Sequence, residues 1–351
     1  MTDTRNTGEA TETRAYEVST VLPDRLTSRC AVCRQNDLEV FVAREMLLGF
    51  REPFEYGFCR DCGAITRVSA VHDLARYYPH DYRPFRDTNP SDRQSGFRSW
   101  LKRRRNRQVM TSNLDPLGCF LKWMTREEVL LQFRAIGHCG VRLTSRILDV
   151  GCGAGHLLQQ MAEAGFQDLT GVDPFVPEAA LRENSGLKII RGNAEGLAAE
   201  SFELVMMNHC LEHVSNQKAG LQMAARLVSP GGVLLVRQPL CDGEAFRLYR
   251  ENWCQLDAPR HTVINSVQSM RLLAKECGLR ITRIIWDSAD LQFWGSEQYR
   301  LDVAMSDERS YFNNPDRSPF TREQIDCWKR EAMRMNRAGA GDQAAFFFER
   351  E

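Results

Sequence analysis

Four cysteines in two pairs, Cys30-x-x-Cys33 and Cys59-x-x-Cys62, are the residues of this 351-residue chain whose spacing speaks most directly of chemistry. Two such knuckles offer four thiolates to one tetrahedral ion, and zinc is the natural partner. Gly63 follows the second pair, where a knuckle often needs an unstrained turn. The 25-residue spacer is longer than in a usual zinc ribbon, at little entropic cost. No histidine or carboxylate stands at ligand spacing to leave a position open, so the Zn2+ would be structural and would stabilise a module with too little core to fold unaided. Buried free thiols or a redox pair are the alternatives.

A second constellation begins at Ile147-Leu148-Asp149-Val150-Gly151-Cys152-Gly153-Ala154-Gly155-His156-Leu157-Leu158. An apolar run ends in an acid and breaks into three glycines before an apolar helical segment. That pattern marks backbone lying close against a ligand. A dinucleotide fingerprint would need G-x-G-x-x-G, but His156 occupies its last position and Gly155 comes one residue early. Asp173, 18 residues after Gly155 in Gly171-Val172-Asp173-Pro174, could accept both hydroxyls of a ribose. Gly192-Asn193-Ala194-Glu195 offers an amide and backbone to an adenine edge.

Seven histidines are present, and three fall near these motifs: His209, His213 and His261. Imidazole is the side chain best matched to proton removal near neutral pH. Glu212 adjoins His213 in Leu211-Glu212-His213-Val214 and could orient or charge-stabilise it; alternatively, the pair caps or packs a helix. In Trp253-Cys254-Gln255-Leu256-Asp257-Ala258-Pro259-Arg260-His261 an indole, a cation and an imidazole lie within nine residues and could floor a polar or anionic acceptor. The alternative is that Trp253 packs, Asp257 pairs with Arg260 and His261 caps the next element. Cys152, Cys210 and Cys254 are read as small fillers rather than nucleophiles.

These groups need a scaffold, and from Ser145 onward strand and helix patterns alternate, the mark of a parallel sheet with helices on both faces. Strands are predicted at 146–150, 168–173, 187–191, 202–208, 232–238, 280–286 and 344–349, with helices at 155–164, 176–183, 216–227 and 266–277. Leu227-Val228-Ser229-Pro230-Gly231-Gly232 reads as a turn before the fifth strand. A helical insertion covers about 291–338. Ahead of the sheet, Trp100, Leu121, Trp123, Val129, Leu130 and Phe133 recur at helical spacing around a break at Pro116-Leu117-Gly118, which predicts two helices. The expected division is a polar disordered leader at 1–20, a zinc-binding module at 21–85, a linker and helices at 86–140, and the catalytic domain at 141–351. Within the module, 38–44 and 54–58 read as strands. Its aromatic tail, Tyr77-Tyr78-Pro79-His80-Asp81-Tyr82-Arg83-Pro84-Phe85, could help shape an acceptor pocket or only seal the interface.

Taken in order, the five stretches between about 145 and 240 resemble class I S-adenosylmethionine-dependent methyltransferases. The resemblance implies an α/β, Rossmann-like seven-stranded sheet and the cofactor S-adenosylmethionine. It further implies that Asp149, Gly151, Gly153 and Gly155 lie by the methionyl part, that Asp173 with Pro174 holds the ribose, and that Asn193 and Ala194 meet the adenine; Asn208 and His209, at the end of the fourth strand, complete the set. Asn193 departs from the family, where many members have aspartate. The W-x-x-L-D-x-P-R-H segment, the paired cysteines and the Y-Y-x-x-x-Y stretch resemble a bacterial subgroup of these enzymes, so the likeness extends over most of 30–290. In sugar C-methyltransferases, which the chain partly resembles, the pair matching Glu212 and His213 is implicated in catalysis.

The expected activity is methyl transfer to a small-molecule acceptor such as a sugar, nucleotide-sugar, glycan or secondary metabolite, with His213, Glu212, His261 and His209 as catalytic candidates. Methylation of RNA is the first alternative, since zinc modules also precede this fold there and Lys102 to Arg107 could grip phosphates. A non-catalytic adaptor is the second. Forty-six basic and 46 acidic residues cancel, which speaks against nucleic acid, as does the lack of an N-P-P-Y type motif. No run is long and apolar enough for a membrane span, and no membrane partner is expected. Without a secretory signal the twelve cysteines point to a reducing, cytoplasmic setting. The oligomeric state, monomer or homodimer, stays open, as does the choice among oxygen, nitrogen and carbon methylation.

Overall fold

The computed structural model describes residues 26–78, 96–111, 115–125, 131–184 and 186–351. The expected leader at 1–20, the aromatic tail from Pro79 onward, most of the linker, Val129 and Leu130 lie outside the described residues.

The paired-cysteine region forms three antiparallel strands, β1 (Leu38–Arg44), β2 (Pro53–Cys59) and β3 (Ile65–Arg67). Three helices follow rather than the expected two: α1 (Phe97–Met110), α2 (Pro116–Met124) and α3 (Leu131–Gly137). Gly137 is where α3 meets α1, since a Cβ there would lie 2.1 Å from the Val109 carbonyl oxygen.

The alternating region runs β4 (Arg146–Val150), α4 (His156–Ala164), β5 (Asp168–Asp173), β6 (Arg182–Asn184), β7 (Leu187–Arg191), β8 (Phe202–Asn208), α5 (Gln217–Leu227) and β9 (Val228–Pro239). It continues through α6 (Glu244–Tyr249), β10 (Val263–Ile264), α7 (Val267–Glu276), β11 (Leu279–Trp286), α8 (Leu291–Arg300), α9 (Arg322–Ala338) and β12 (Gln343–Arg350). The large sheet has the order β11-β12-β9-β8-β4-β5-β7-β6. Its middle is parallel, and β12 enters antiparallel between β9 and β11. This is the expected seven-stranded sheet with one three-residue edge strand added.

Strand alternation splits the core between the two faces. Leu148, Val205, Val236 and Phe346 pack with Leu221 of α5 and Leu273 of α7. Their neighbours Ile147, Leu204, Leu235 and Phe347 pack with Leu158 of α4, Val109 of α1 and Phe133 of α3. Strand order reverses at β4, whose parallel neighbours β5 and β8 lead to opposite sides, so the carboxyl end of β4 is a topological switch point.

Two local expectations are corrected. Residues 176–183 do not form a helix: a 3-10 turn covers Glu178–Ala180, and Arg182–Asn184 pairs with β7. An eight-residue segment opening on Val-Pro has too few turns to nucleate a helix, and a sheet edge offers its backbone partners. The Ser229 to Gly232 turn signal is absorbed into β9 as an irregularity opposite Phe202 and Leu204.

The small sheet is completed from a distance. Its order is β1-β2-β3-β10, with Val263 opposite Thr66 and Ile264 opposite Ile65. One sheet thus joins the paired-cysteine region to the segment directly after His261.

Candidate active site

The glycine loop leaves β4 at its switch point. Gly151 has φ +78° and Gly155 φ +77°. A Cβ on Gly151 would meet the Cys210 sulfur at 2.5 Å, and one on Gly155 would meet Ile189 at 2.7 Å. Positive φ and lack of room both require glycine there. Asp173, at the end of β5, accepts the Gly153 N–H through Oδ2 at 3.1 Å and the Phe175 N–H through Oδ1 at 2.8 Å. Its carboxylate is therefore fixed against the loop with lone pairs to spare for hydroxyl donors. Asp149 is buried, accepts from Asn208 Nδ2 at 3.3 Å, and is pushed up to about 7 by that burial. Pro174 follows Asp173 directly, and Asn193 accepts the Glu195 N–H at 3.3 Å beside buried Ala194. Every cofactor candidate thus lies at or just past a strand end on one edge of the sheet.

Beyond β8 the chain turns sharply, with His209 at φ +49°, into the 3-10 turn Leu211–His213. One side-chain atom from each of Glu212, His213 and His261 lies within 4.8 Å of the others. The rings of His213 and His261 meet edge-on with centroids 4.7 Å apart. Thr262 ties the two segments by donating its N–H and its hydroxyl to the Glu212 carbonyl, at 2.8 and 3.1 Å.

The hydrogen bonds fix the tautomers. Arg237 can only donate, so its Nη1, 2.7 Å from His209 Nε2, makes that nitrogen an acceptor. His209 Nδ1–H then donates to Glu212 Oε1 at 3.1 Å, while Asp287 holds the Arg237 Nε at 2.5 Å. His209 thus bridges Arg237 and Glu212 with both nitrogens engaged. His213 Nδ1 faces the Arg260 carbonyl at 3.2 Å, an obligate acceptor that places the hydrogen on Nδ1 and the lone pair on Nε2, and the Tyr78 hydroxyl oxygen lies 3.0 Å from the same nitrogen. His261 Nδ1 likewise faces the Gln255 carbonyl at 2.9 Å.

Burial and the neighbouring His261 lower His213 to about 4, so its imidazole is neutral at physiological pH. Burial pushes Glu212 upward, but the His209 hydrogen bond and the surrounding imidazoles outweigh it and hold it at about 2. Its Oε2 has no hydrogen-bond partner among the described residues. A neutral imidazole beside a buried carboxylate can take a proton and have the resulting charge compensated.

The W-x-x-L-D-x-P-R-H segment divides in role. Trp253 is buried, packs on Phe246 and donates its indole N–H to Asp342 at 2.9 Å, so it sits in the core rather than on a pocket floor. Asp257 binds Arg260 in a bidentate pair at 2.6 and 2.9 Å. Arg260 is fully buried and reaches back to Glu45 Oε1 at 3.2 Å. Tyr56 donates to the His261 carbonyl at 3.0 Å, and Arg67 donates to the Pro259 carbonyl. Three residues of the paired-cysteine region, Glu45, Tyr56 and Arg67, therefore grip the loop that ends in His261, and Tyr78 meets His213 beside it. Sequence reading missed Glu45, Tyr56, Arg67 and Arg237. Two left a signal: Glu45 is an acid opening the apolar run Met46-Leu47-Leu48, and Arg237 is a cation within the apolar strand Leu234-Leu235-Val236. Burial pushes the thiols of Cys152, Cys210 and Cys254 upward, away from nucleophile character.

The four paired cysteines converge. Cys30 and Cys62 sulfurs are 3.5 Å apart, Cys33 and Cys59 sulfurs 3.4 Å, and all four lie within 4.8 Å of one another. A tetrahedral ion with metal–sulfur bonds of ~2.3 Å needs sulfurs ~3.8 Å apart, so the cage fits zinc. Gly63 has φ +74° in the second knuckle.

Residues 91–284, more than half of the chain, match the family model of a methyltransferase domain. The chain belongs to the class I S-adenosylmethionine-dependent methyltransferases. The ubiquinone biosynthesis O-methyltransferase of Azorhizobium caulinodans is 35% identical over 99 residues, which are 26% of this chain and 39% of that protein. Its namesake from Cereibacter sphaeroides (strain ATCC 17025 / ATH 2.4.3) is 41% identical over 98 residues, with the same coverage. This chain thus spans well under half the length of these relatives. Among solved structures, a putative sarcosine dimethylglycine methyltransferase from Galdieria sulphuraria aligns with a TM-score of 0.41 and 16% identity over 63% of this chain and 84% of that one. Among the described residues no helix is long and apolar enough to cross a membrane.

Proposed function

We propose that this methyltransferase acts on a hydroxyl-bearing small molecule, with His213 as the base. The neutral His213 carries the reading: its Nδ1–H is held by the Arg260 carbonyl, which leaves Nε2 as the proton acceptor. S-adenosylmethionine supplies a sulfonium methyl for in-line displacement. In this reading Asp149 and the glycine loop receive its methionyl end, Asp173 with Pro174 the ribose, and Asn193 with Ala194 the adenine, while Asn208 orients Asp149. Glu212 compensates the imidazolium, His209 holds Glu212 in place, and His261 completes the pocket. The relatives named as ubiquinone biosynthesis O-methyltransferases support oxygen as the methylated atom and a small molecule as acceptor. Sugars, nucleotide-sugars, glycans and phenolic secondary metabolites all offer such a hydroxyl.

Zn2+ in the four-cysteine cage is the structural part of the proposal. The hydrogen bond to Cys30 and burial both push the Cys62 thiol upward, and a cation among the sulfurs would offset that cost. Twelve cysteines outside any disulfide, four of them in the cage, suit a reducing, cytoplasmic setting. The test is transfer of a labelled methyl group to a panel of hydroxylated acceptors by wild type and His213→Gln. Loss of about 10²- to 10⁴-fold in the variant, with cofactor affinity retained, is expected of a general base. Unchanged turnover would refute the role.

A further inference from the structure

The helical hairpin ahead of the catalytic sheet has features that methyl transfer does not use. α1 and α2 are joined by a short connection, and Gly118 lets them approach: a Cβ there would lie 2.9 Å from Gln108 Cβ. Among the described residues the far end of α1 is the one anchored on the catalytic sheet, through buried Val109 and Met110 and through Arg107, which donates to the Ala164 carbonyl at 2.5 Å. The start of α1 and the end of α2 meet at the opposite tip, where Arg98, Leu101, Lys102, Arg105, Leu121 and Thr125 line a shallow groove.

That tip is apolar and cationic together. Phe97 is 73% exposed, Phe120 52%, Trp123 80% and Met124 63%, and Trp100 lies against Phe97 with centroids 5.7 Å apart. Large apolar side chains gathered on one projection mark an interaction surface. Arg98, Lys102 and Lys122 are exposed among them. Asp115 is the one carboxylate among the described residues of the hairpin, and Arg104 occupies it at 2.6 Å.

We propose that this tip seats in the interface of an anionic phospholipid bilayer. Indole and phenyl rings favour the headgroup boundary, and lysines and arginines beside them meet lipid phosphates. A second copy of the chain is a poorer occupant, because a two-fold contact of this patch sets cation against cation. RNA is poorer too: single strands are held in grooves that track the backbone, whereas Phe97, Trp123 and Met124 stand on a projecting tip.

The test is co-sedimentation of the full chain with vesicles of phosphatidylcholine alone and of phosphatidylcholine mixed with phosphatidylglycerol. Binding to the mixed vesicles, weak binding to the neutral ones and a blue shift of tryptophan emission are expected. F120S/W123S should lose that binding while keeping its melting temperature and its affinity for S-adenosylhomocysteine. R98Q and K102Q should each weaken partition about fivefold, the value of one cation at such a surface. Equal partition onto both vesicle types, none onto either, or full binding by F120S/W123S would overturn the proposal. So would tighter binding to polyuridylate than to vesicles, or a dimer that F120S/W123S dissolves.

Discussion

Glu45→Ala removes the side chain that ties the paired-cysteine region to the loop bearing the histidines. Glu45 accepts four hydrogen bonds, from the Leu48 and Phe50 N–H groups at 2.8 and 2.9 Å and from the two Arg260 terminal nitrogens at 3.3 and 3.2 Å. Both partners of the ion pair are fully buried. Removing one member of such a pair costs about 3–5 kcal/mol, because the other is left charged in the interior. Arg260 keeps its bidentate bond to Asp257, so the lower end, about 3 kcal/mol, is expected. At roughly 2.1 cal/mol/K of unfolding entropy per residue, a chain of this length would melt about 4 °C lower. Thermal denaturation by circular dichroism reads the shift, and calorimetry with S-adenosylhomocysteine should find affinity within about twofold of wild type, since the glycine loop and Asp173 belong to other elements. A loss of stability under about 1 kcal/mol, or a collapse of cofactor affinity, would refute this division of labour.

The pH dependence follows from His213. Its folded value of about 4 lies below the ordinary 6.5, so its contribution to stability is complete above pH 6.5 and is lost as pH falls toward 4. His213→Gln should flatten that acid-side decline by about 3 kcal/mol in denaturant titrations, and the acid limb of wild-type kcat/KM should fall near pH 4 rather than 6.5. Metal analysis of freshly purified protein should give about one zinc per chain, and Cys59→Ser should abolish it; a full complement in the variant would remove the four-cysteine assignment. Trp253→Phe deletes the indole hydrogen bond to buried Asp342 and should cost about 1–3 kcal/mol of stability with turnover preserved. A turnover defect without a stability defect would return Trp253 to the acceptor pocket.

The glycine loop and the strand end that carries it were legible because their constraints are local. An apolar strand, an acid and glycines at forced backbone angles are written within nine residues, from Ile147 to Gly155, and α4 and α5 set the spacings at which β5 and β9 follow β4 and β8. Glu212, His213 and His261 were legible as candidates, but not as a cluster, because 48 residues separate the last two and the Thr262 bonds that join them leave no motif. The grip of Glu45, Tyr56 and Arg67 was illegible for the same reason. β10 is two residues long, too short for any alternation to register, yet it determines that the small sheet closes on the histidine loop. The 176–183 segment has helical composition, and the free edge of β7 prevailed over it.

We propose that this sheet edge binds S-adenosylmethionine with Asp173 as the ribose partner. Calorimetric titration of S-adenosylhomocysteine into wild type and Asp173→Ala tests it most directly. One site per chain is expected in wild type, weakened about 10- to 100-fold in the variant as hydrogen bonds to a charged group are lost. Equal affinity in the two proteins, or no binding by wild type, would contradict it.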